Sequence, residues 1–357
     1  MSQVLQVVGE ITPDWLTDRL RRSGALPSGA VRSVTVTRVH TDQLHSLGYF
    51  LHIVYTADVP VTAPMHLFLK LPRPGADPAV TMKVGMREVG MYRALARDQT
   101  SLPVIPCYDA AYDAEQPAYH LLLADLSATH DQPADYRTIA DRYIERTVDS
   151  LALFHAYWWE HARLGCDVGD LPDAPSITAG CKRLRAALPA FADLLGERMS
   201  PEDRRIYERV LVALPTLRAR RAAPRGQTIV HGDAHFWNFL YPRDLHGGHT
   251  CIIDWHTYYV GRGADDLAYA IVLRYPHRTL ANERRLVRRY HDGLLAHGVT
   301  DYAEAACWDD YRRAAAEHVV ASLGWWCSGL PESFWGAFVQ PPLRAFRDLM
   351  CAAILPS

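Results

Sequence analysis

Lysine is scarce in this sequence of 357 residues. Lysine and arginine together number 38, but only Lys70, Lys83 and Lys182 are lysines, so arginine is the default cation. Arginine does not replace lysine where a compact, movable ammonium group is needed. Each of the three lysines is therefore a candidate for a specific function.

The sequence also lacks an excess of charge of either sign. Its 38 basic and 40 acidic side chains give a net charge of −2, which argues against binding to nucleic acid or to an anionic membrane through bulk charge. No run approaches the roughly 18 apolar residues of a membrane-spanning helix. The amino-terminal residues do not have the basic and apolar segments of a signal peptide. We expect neither nucleic acid nor membrane as a partner.

Closely spaced cysteines are missing as well. The seven cysteines are far apart, odd in number and include no Cys-x-x-Cys pair. Such spacing is typical of reduced thiols in a cytoplasmic protein, and it argues against a zinc site or a disulfide framework. We therefore expect a cytoplasmic globular protein, which at this length normally divides into two lobes.

The order of the predicted elements indicates an α+β protein. A helix begins at Pro13 after the N-cap Thr12, and strands follow around Val34 and Val36, at 49–56 and at 65–71, then a helix at 80–97 and a buried strand at 119–126. Beyond that point, long helical patterns dominate at 136–162, 178–196 and 201–221, with short strands at 227–230, 238–241 and 250–254. We place a small β-rich lobe at 1–125 and a larger, mostly helical lobe at 126–357.

The densest polar cluster begins at His231 and ends at Asn238, in the sequence HGDAHFWN, directly after an apolar strand. A second acid, Asp254, ends the later strand 250–254. Phosphoryl transfer needs a carboxylate that accepts the proton of the attacking hydroxyl, and oxygen ligands for Mg²⁺. Asp233, Asn238 and Asp254 are the candidates for these tasks.

Lys70 is the best of the three lysines for phosphate binding. On a strand its side chain points away from Leu69 and Leu71, so the leucines can pack in the core while the ammonium faces a cleft. Glu88 lies on the apolar face of the helix at 80–97, where an unpaired carboxylate would be costly. We predict that Glu88 pairs with Lys70.

The ordered string FLKL, REVGMYRAL, HGDAHFWN, IIDW and GADDLAY resembles the aminoglycoside phosphotransferase-like kinases, and most closely their ecdysteroid-kinase-like, choline-kinase-related branch. The resemblance is weak in identity but extends over nearly the whole chain. It implies a two-lobed, protein-kinase-like fold and a small-molecule kinase that uses ATP, with GTP not excluded, together with Mg²⁺.

The resemblance also implies roles for individual residues. It assigns the catalytic base to Asp233, the two metal ligands to Asn238 and Asp254, and the phosphate-binding pair to Lys70 and Glu88. Further residues fall on supporting positions of the family pattern. The backbone of Leu123, Ala124 and Leu126 would hold the adenine, and His231 and Asp266 would brace the catalytic loop.

One part of the family pattern is missing, because the sequence has no Gly-x-Gly-x-x-Gly loop. We predict that residues 45–48 form the turn over the phosphates, with Ser46 and nearby backbone amides as the contacts.

Two alternatives to a kinase stay open. His231, Asp233 and His235 would share one face of an extended strand and could, with Asp254, bind the metal of a hydrolase. A nucleotide-binding pseudokinase is the other alternative, although the base, both metal ligands, the lysine and its glutamate are all present.

Two features of the sequence bear on the acceptor, namely six aromatic residues and the composition of the region 165–225. Trp158, Trp159, Tyr258, Tyr259, Trp325 and Trp326 favour a bulky, partly apolar small molecule with a hydroxyl group. The region 165–225 is rich in Arg, Leu and Ala and not in the acidic residues that aminoglycosides would require. The sequence leaves the oligomeric state open.

Overall fold

The computed structural model describes residues 4–39, 45–96, 102–135, 139–244 and 248–356. The chain forms two compact units: Met1–Asp131 with Pro242–Thr257, and Gln132–Tyr241 with Tyr258–Ser357. The division falls at Asp131 and not at residue 125, and the segment 242–257, which we placed in the second lobe, belongs to the first unit.

The described strands are β1 Val31–Arg38, β2 Ser46–Tyr55, β3 His66–Pro72, β4 Cys107–Tyr112, β5 Tyr119–Ala124, β6 His130–Asp131, β7 Thr228–Val230, β8 Phe239–Pro242, β9 Cys251–Ile252 and β10 Tyr259–Gly261. The described α-helices are α1 Pro13–Arg22, α2 Pro78–Ala96, α3 Asp141–Tyr157, α4 Ala174–Leu195, α5 Pro201–Ala219, α6 Ala264–Ala268, α7 Leu280–Ala296, α8 Glu304–Glu317, α9 Ala321–Cys327, α10 Glu332–Trp335 and α11 Gln340–Asp348. The predicted α+β class, with a β-rich first part and a mostly helical second part, is confirmed.

The first unit contains a five-stranded antiparallel sheet in the order β1-β2-β3-β5-β4. On β3, Leu67, Leu69 and Leu71 are buried in one core with α1, as the strand period requires. Lys70 points to the opposite face, where its ammonium contacts Glu88 of α2. The alternation along β3 therefore separates the leucine core from the face of the sheet on which Lys70 and Glu88 lie.

Helix α1 begins where the sequence predicts. Thr12 caps it, because its Oγ1 accepts a hydrogen bond from the N–H of Trp15, and Pro13 occupies the first turn. Its buried side chains, among them Leu16 and Leu20, pack with the β3 leucines in the same core. Each leucine side chain removed from water contributes about 1.5–3 kcal/mol.

Helix α2 packs against β4 and β5 and carries Glu88 to the functional face of the sheet. The approach is close at Gly85. A Cβ atom at this position would lie 2.7–2.8 Å from side-chain atoms of Tyr119 on β5. The absence of a side chain at Gly85 thus sets the distance between α2 and the sheet.

The second unit is built from helix pairs, of which α3 with α7, α4 with α5, and α6 with α8 make extensive contacts. Helix α5 begins with a capping box: Ser200 Oγ accepts from the N–H of Asp203, and the Asp203 carboxylate accepts from the N–H of Ser200. The strand β7, which precedes the loop that carries His231 and Asp233, pairs antiparallel with β10.

The segments at 4–39, 45–96, 102–135, 139–244 and 248–356 contain no helix long and apolar enough to cross a membrane.

Some elements differ from the sequence prediction. Strand β4 was not predicted, since its residues CYDAAY show no clear alternation of polar and apolar side chains. Helix α3 ends at Tyr157 and not near 162, and Glu160, shortly beyond it, has a positive φ of 51°. Residues 136–138 of the predicted helix at 136–162 lie outside the described residues.

Replacing Gly85 by alanine is expected to lower stability by about 1–2 kcal/mol, because overpacking against Tyr119 outweighs the roughly 1 kcal/mol gain in helix propensity. Urea-unfolding midpoints measure the effect. The matched control is Gly180→Ala on α4, where the nearest side-chain atom would be 3.7 Å away, and this variant should be as stable as the parent or more so. Equal stabilisation by both alanines would contradict the close-approach argument.

Candidate active site

Lys70 lies between two carboxylates of the first unit. Its Nζ is 2.8 Å from Oε1 of Glu88 and 2.7 Å from Oδ1 of Asp254. Lys70 is 7% exposed and Glu88 is 1% exposed. The structure thus places Lys70 and Glu88 together, as predicted. The contact of Lys70 with Asp254 was not predicted.

The charges of Lys70 and Asp254 support one another. Burial lowers the pKa of Lys70, but Asp254 and Glu88 raise it by more, so that it lies well above the ordinary value. Burial raises the pKa of Asp254, but Lys70 and His256 lower it by more, so that it lies well below the ordinary value. The ammonium of Lys70 and the carboxylate of Asp254 are therefore both charged at neutral pH.

The loop after β7 is held by the buried carboxylate of Asp266. One carboxylate oxygen accepts the N–H of His231 at 2.6 Å, and the other accepts the N–H of Gly232 at 2.9 Å. The ring of His155 on α3 lies 3.2 Å from the same carboxylate. Gly232 has a φ of 81°, a conformation that favours glycine. These contacts fix the backbone immediately before Asp233.

Asp233 has a defined hydrogen-bond environment. The hydroxyl of Tyr269 donates to its Oδ1 at 2.5 Å, and the side-chain amide of Asn238 donates to its Oδ2 at 3.2 Å. Nε2 of His235 lies 3.3 Å from the same Oδ2. The structure therefore brings the predicted base and one predicted metal ligand into direct contact within the second unit.

These contacts keep Asp233 ionised. Burial raises its pKa, but the hydrogen bond and the charge of His235, followed by the hydrogen bond from Tyr269, lower it by more. The resulting pKa lies below the ordinary value for aspartate. A carboxylate in this state can accept a proton from a neighbouring hydroxyl group.

The predicted metal ligands have the donor chemistry that Mg²⁺ requires. The Asn238 amide nitrogen also donates to the Asp233 backbone carbonyl at 2.9 Å, so that its Oδ1 is the atom suited to a cation. Lys70 and His256 both contact Oδ1 of Asp254, at 2.7 and 3.0 Å. Hard oxygen donors of this kind fit Mg²⁺, which takes few protein ligands and completes its shell with phosphates and water.

The predicted adenine-binding residues lie at the end of β5. Leu123 is paired with both neighbouring strands, and the N–H of Ala124 donates to the carbonyl of Pro106 at 2.9 Å. Leu126 follows β5, and its carbonyl accepts two backbone N–H groups from the turn at 126–130. Their backbone contacts with a nucleotide stay a prediction.

The predicted phosphate-covering turn at 45–48 is not a turn. Ser46 begins β2, pairs with Pro72 and is buried, and Leu47 and Gly48 continue the ladder with β3. The strand period of these residues was overlooked because the glycine suggested a loop. Residues 40–44, which precede them, lie outside the described residues.

The His-Asp-His arrangement of the hydrolase alternative is not formed as expected. Residues 231–235 follow β7 as a loop and not as a strand, so their side chains do not share a strand face. The His231 ring accepts the N–H of Asp233 through Nδ1 at 3.2 Å and is fully buried. Among the described residues, no group of three or more His, Cys, Asp or Glu side chains could hold a metal ion.

The sequence model of the phosphotransferase enzyme family, APH, matches residues 54–316. The chain belongs to the phosphotransferase enzyme family. The predicted resemblance to the aminoglycoside phosphotransferase-like kinases is thereby confirmed, as is the prediction of a small-molecule phosphotransferase. No curated protein matches the chain.

Solved structures agree on the fold of this phosphotransferase. A choline kinase from Cryptosporidium parvum Iowa II is 11% identical with a TM-score of 0.53, covering 90% of this chain and 92% of that chain. An ethanolamine kinase from Plasmodium vivax is 11% identical with a TM-score of 0.51, covering 90% of this chain and 84% of that chain. The predicted protein-kinase-like fold is therefore confirmed.

Sequence analysis missed two residues that contact the phosphotransferase site. Tyr269 closes the GADDLAY string and donates to Asp233, but a tyrosine in an apolar helical pattern gives no sign of such a contact. His256 follows the IIDW string, and its ring lies 3.0 Å from Oδ1 of Asp254. Its position two residues after a predicted ligand was the only available signal.

Lys70→Met is expected to lower the free energy of unfolding by about 3–5 kcal/mol, because it leaves the carboxylates of Glu88 and Asp254 without their shared cation. Glu88→Gln should lower it by about 1 kcal/mol, since the pair of Lys70 with Asp254 is retained. Urea unfolding compares the two variants. Lys83→Met, on the exposed face of α2, is the control, and a larger loss for Glu88→Gln than for Lys70→Met would disprove the shared-cation argument.

Tyr269→Phe is expected to reduce phosphoryl transfer about 10- to 100-fold with little change in KM, because it removes the donor that orients Asp233. The steady-state rate of phosphoryl transfer from ATP, the donor predicted above, is the measurement. Tyr275→Phe is the control, since this buried tyrosine donates to Asp141 and not to Asp233. Equal rates for the two variants would show that Tyr269 does not act on the base.

Proposed function

We propose that this phosphotransferase transfers the γ-phosphate of ATP to the hydroxyl group of a small molecule. The observation that carries the proposal is the state of Asp233. Its carboxylate is kept ionised by His235 and Tyr269, and its backbone follows a loop segment fixed by Asp266. A carboxylate that is both ionised and fixed in position is what a kinase needs to orient a hydroxyl nucleophile.

The proposed reaction forms one bond and breaks one. The acceptor oxygen bonds to the γ-phosphorus of ATP while the bond from that phosphorus to the β–γ bridging oxygen breaks. The bridging oxygen leaves with the electron pair as part of ADP. Asp233 accepts the proton that the hydroxyl loses. Asn238 and Tyr269 hold the two carboxylate oxygens in place, which limits the rotation of the base.

Lys70 is proposed to bind the α- and β-phosphates. Its ammonium is held by Glu88 and Asp254 at 2.7–2.8 Å, so it is ordered before a nucleotide arrives. Arginine is the default cation of this chain, so a lysine at this position supports the role, because a compact, movable ammonium differs in shape and donor geometry from a guanidinium. Leu123, Ala124 and Leu126 are proposed to bind the adenine through their backbones.

Asn238 and Asp254 are proposed to hold Mg²⁺. When bound, the cation neutralises charge that develops on the transferring phosphate. The oxygen donors of both side chains suit a hard cation, and the pKa of Asp254 is low enough to keep its carboxylate charged. Ser46 is buried, and we propose no direct phosphate contact for its side chain.

The acceptor is proposed to be a bulky, partly apolar alcohol. Of the six aromatic residues predicted to line its pocket, Trp158 and Tyr258 are buried core residues. Tyr259 and Trp325, by contrast, line a cavity of the second unit. An acceptor with an apolar ring could pack against these two side chains.

Asp233→Asn is expected to reduce phosphoryl transfer about 10³-fold, because an amide cannot accept the proton, while the affinity for ATP stays within about threefold of the parent. Transfer is measured from labelled ATP to a panel of alcohols and to water, and binding is measured by calorimetry. The control is Asp193→Asn, an exposed residue of α4. Full transfer by Asp233→Asn would show that another group is the base.

A thermal-shift panel separates this proposal from its alternatives. Stabilisation by ATP or GTP with Mg²⁺ supports a kinase, and the stronger of the two shifts identifies the nucleotide. Stabilisation by Zn²⁺ without nucleotide would instead favour a hydrolase. Nucleotide binding without any transfer in the parent protein would identify a pseudokinase.

A further inference from the structure

A cavity of about 330 Å³ lies within the second unit, between helices α4 and α5 on one side and α8 and α9 on the other. Three arginines line it: Arg183 from α4, Arg218 from α5, and Arg221 just beyond α5. The carboxylates in the lining are Asp265 and Glu317. The formal charge of these five side chains is therefore +1.

A chain of two side-chain contacts joins the cavity wall to Asp233. His318 lines the cavity, and its ring packs edge-on against the ring of Tyr269 with centroids 5.7 Å apart. The hydroxyl of Tyr269 donates to Asp233 at 2.5 Å. Two aromatic side chains thus connect the cavity wall to the carboxylate that is proposed to accept the proton.

The three arginines are not equally neutralised. Arg221 is 3.0 Å from Asp265 and 2.9 Å from Glu317, so both carboxylates of the lining are engaged by this one guanidinium. Arg218 approaches Glu317 only to 3.7 Å, and its buried Nε has no hydrogen-bond partner among the described residues. Arg183 is exposed at the rim. Arg218 and Arg183 both line the cavity, and neither guanidinium has an ion pair shorter than 3.7 Å with a carboxylate of the lining, so these two are the ones available to an anion.

His318 does not change this balance at neutral pH. Burial lowers the pKa of His318 to about 4, so its ring is uncharged. The groups that face it include Asp265, whose carbonyl oxygen is 3.4 Å from Nε2, and the guanidinium of Arg221. The excess positive charge of the lining comes from the arginines alone.

The rest of the lining includes apolar surface. Trp325 is held by Phe334 and Phe338, with ring centroids 5.4 and 5.6 Å from its own. Leu184 of α4 also lines the cavity. A fixed indole and a leucine offer a surface for an apolar ring, while the arginines offer donors for a carboxylate.

We propose that the acceptor is a hydroxy acid, with an aromatic or alicyclic body packed on Trp325 and a carboxylate bound by Arg218 and Arg183. This inference rests on the proposed function, since it names the substrate class of that site. A cationic acceptor, such as an amino alcohol or an aminoglycoside, would be repelled by the excess positive charge of the lining. The charge of the lining thus selects against those substrates.

The first experiment measures binding without nucleotide, by calorimetry and thermal shift. The probes are a panel of aromatic and alicyclic hydroxy acids, beginning with 4-(hydroxymethyl)benzoate, each matched with its primary amide and with its aminomethyl analogue. We expect the carboxylates to bind at least about tenfold more tightly than the amides, and the amines to bind most weakly. If the amines or the amides bind as well as the carboxylates, or if no hydroxy acid binds, the proposal is wrong.

The second experiment assigns the contact. Arg218→Gln and Arg183→Gln should each weaken carboxylate binding about tenfold and leave amide binding unchanged, because they remove only the charged donor. Arg183 is exposed, so its variant tests the proposal even if Arg218→Gln is unstable. The matched control is Arg204→Gln on α5, where the arginine pairs with the exposed Glu208. Equal losses for carboxylate and amide would contradict the assignment.

Two separate measurements distinguish this inference from the proposed function, because binding is measured without nucleotide or turnover. Carboxylate binding without phosphoryl transfer by the parent protein would contradict the proposed function and leave the anion site standing. Phosphoryl transfer to the hydroxyl group of the aminomethyl analogues in preference to the hydroxy acids would contradict the anion site but would still support the kinase.

Discussion

The contact of Asp266 with the loop after β7 is the interaction on which the candidate site depends. A fully buried carboxylate is costly unless its lone pairs are used. Here two backbone N–H groups, from His231 and Gly232, and the ring of His155 use them. Because these contacts fix the backbone just before Asp233, the proposed base does not have to be ordered by a substrate. Tyr269, one turn beyond Asp266 on the same helical segment, then orients the carboxylate of Asp233 itself.

A similar arrangement exists in the first unit, with the signs of charge reversed. There a buried cation, Lys70, is satisfied by the carboxylates of Glu88 and Asp254. Both units thus hold a charged functional group by burying it among partners of matched chemistry, which keeps it ionised and restricts its motion. The cavity near His318 differs, because its arginines are only partly neutralised. Incomplete neutralisation is expected where the missing charge belongs to a ligand.

Much of the fold could be predicted because it follows from local patterns. The alternation of Leu67, Leu69 and Leu71 indicated both the strand and the direction of Lys70 away from the core, and the cap at Thr12 indicated the start of α1. The string of motifs gave the family. The prediction was wrong where local signals were weak or misleading. Strand β4 has no alternation, and Gly48 suggested a turn although it pairs with Lys70 in the sheet.

The sequence by itself determined the family, the fold class and the residue types that phosphoryl transfer requires, because these depend on composition, periodicity and the order of motifs along the chain. Only the tertiary structure decided which side chains act on one another. Lys70 and Asp254 are 184 positions apart, and Asp233 and Tyr269 are 36 apart. No periodicity links positions so distant, since their contact results from the packing of separate elements. The charge of the cavity was hidden for the same reason, because three arginines and two carboxylates become one lining only when four helices meet.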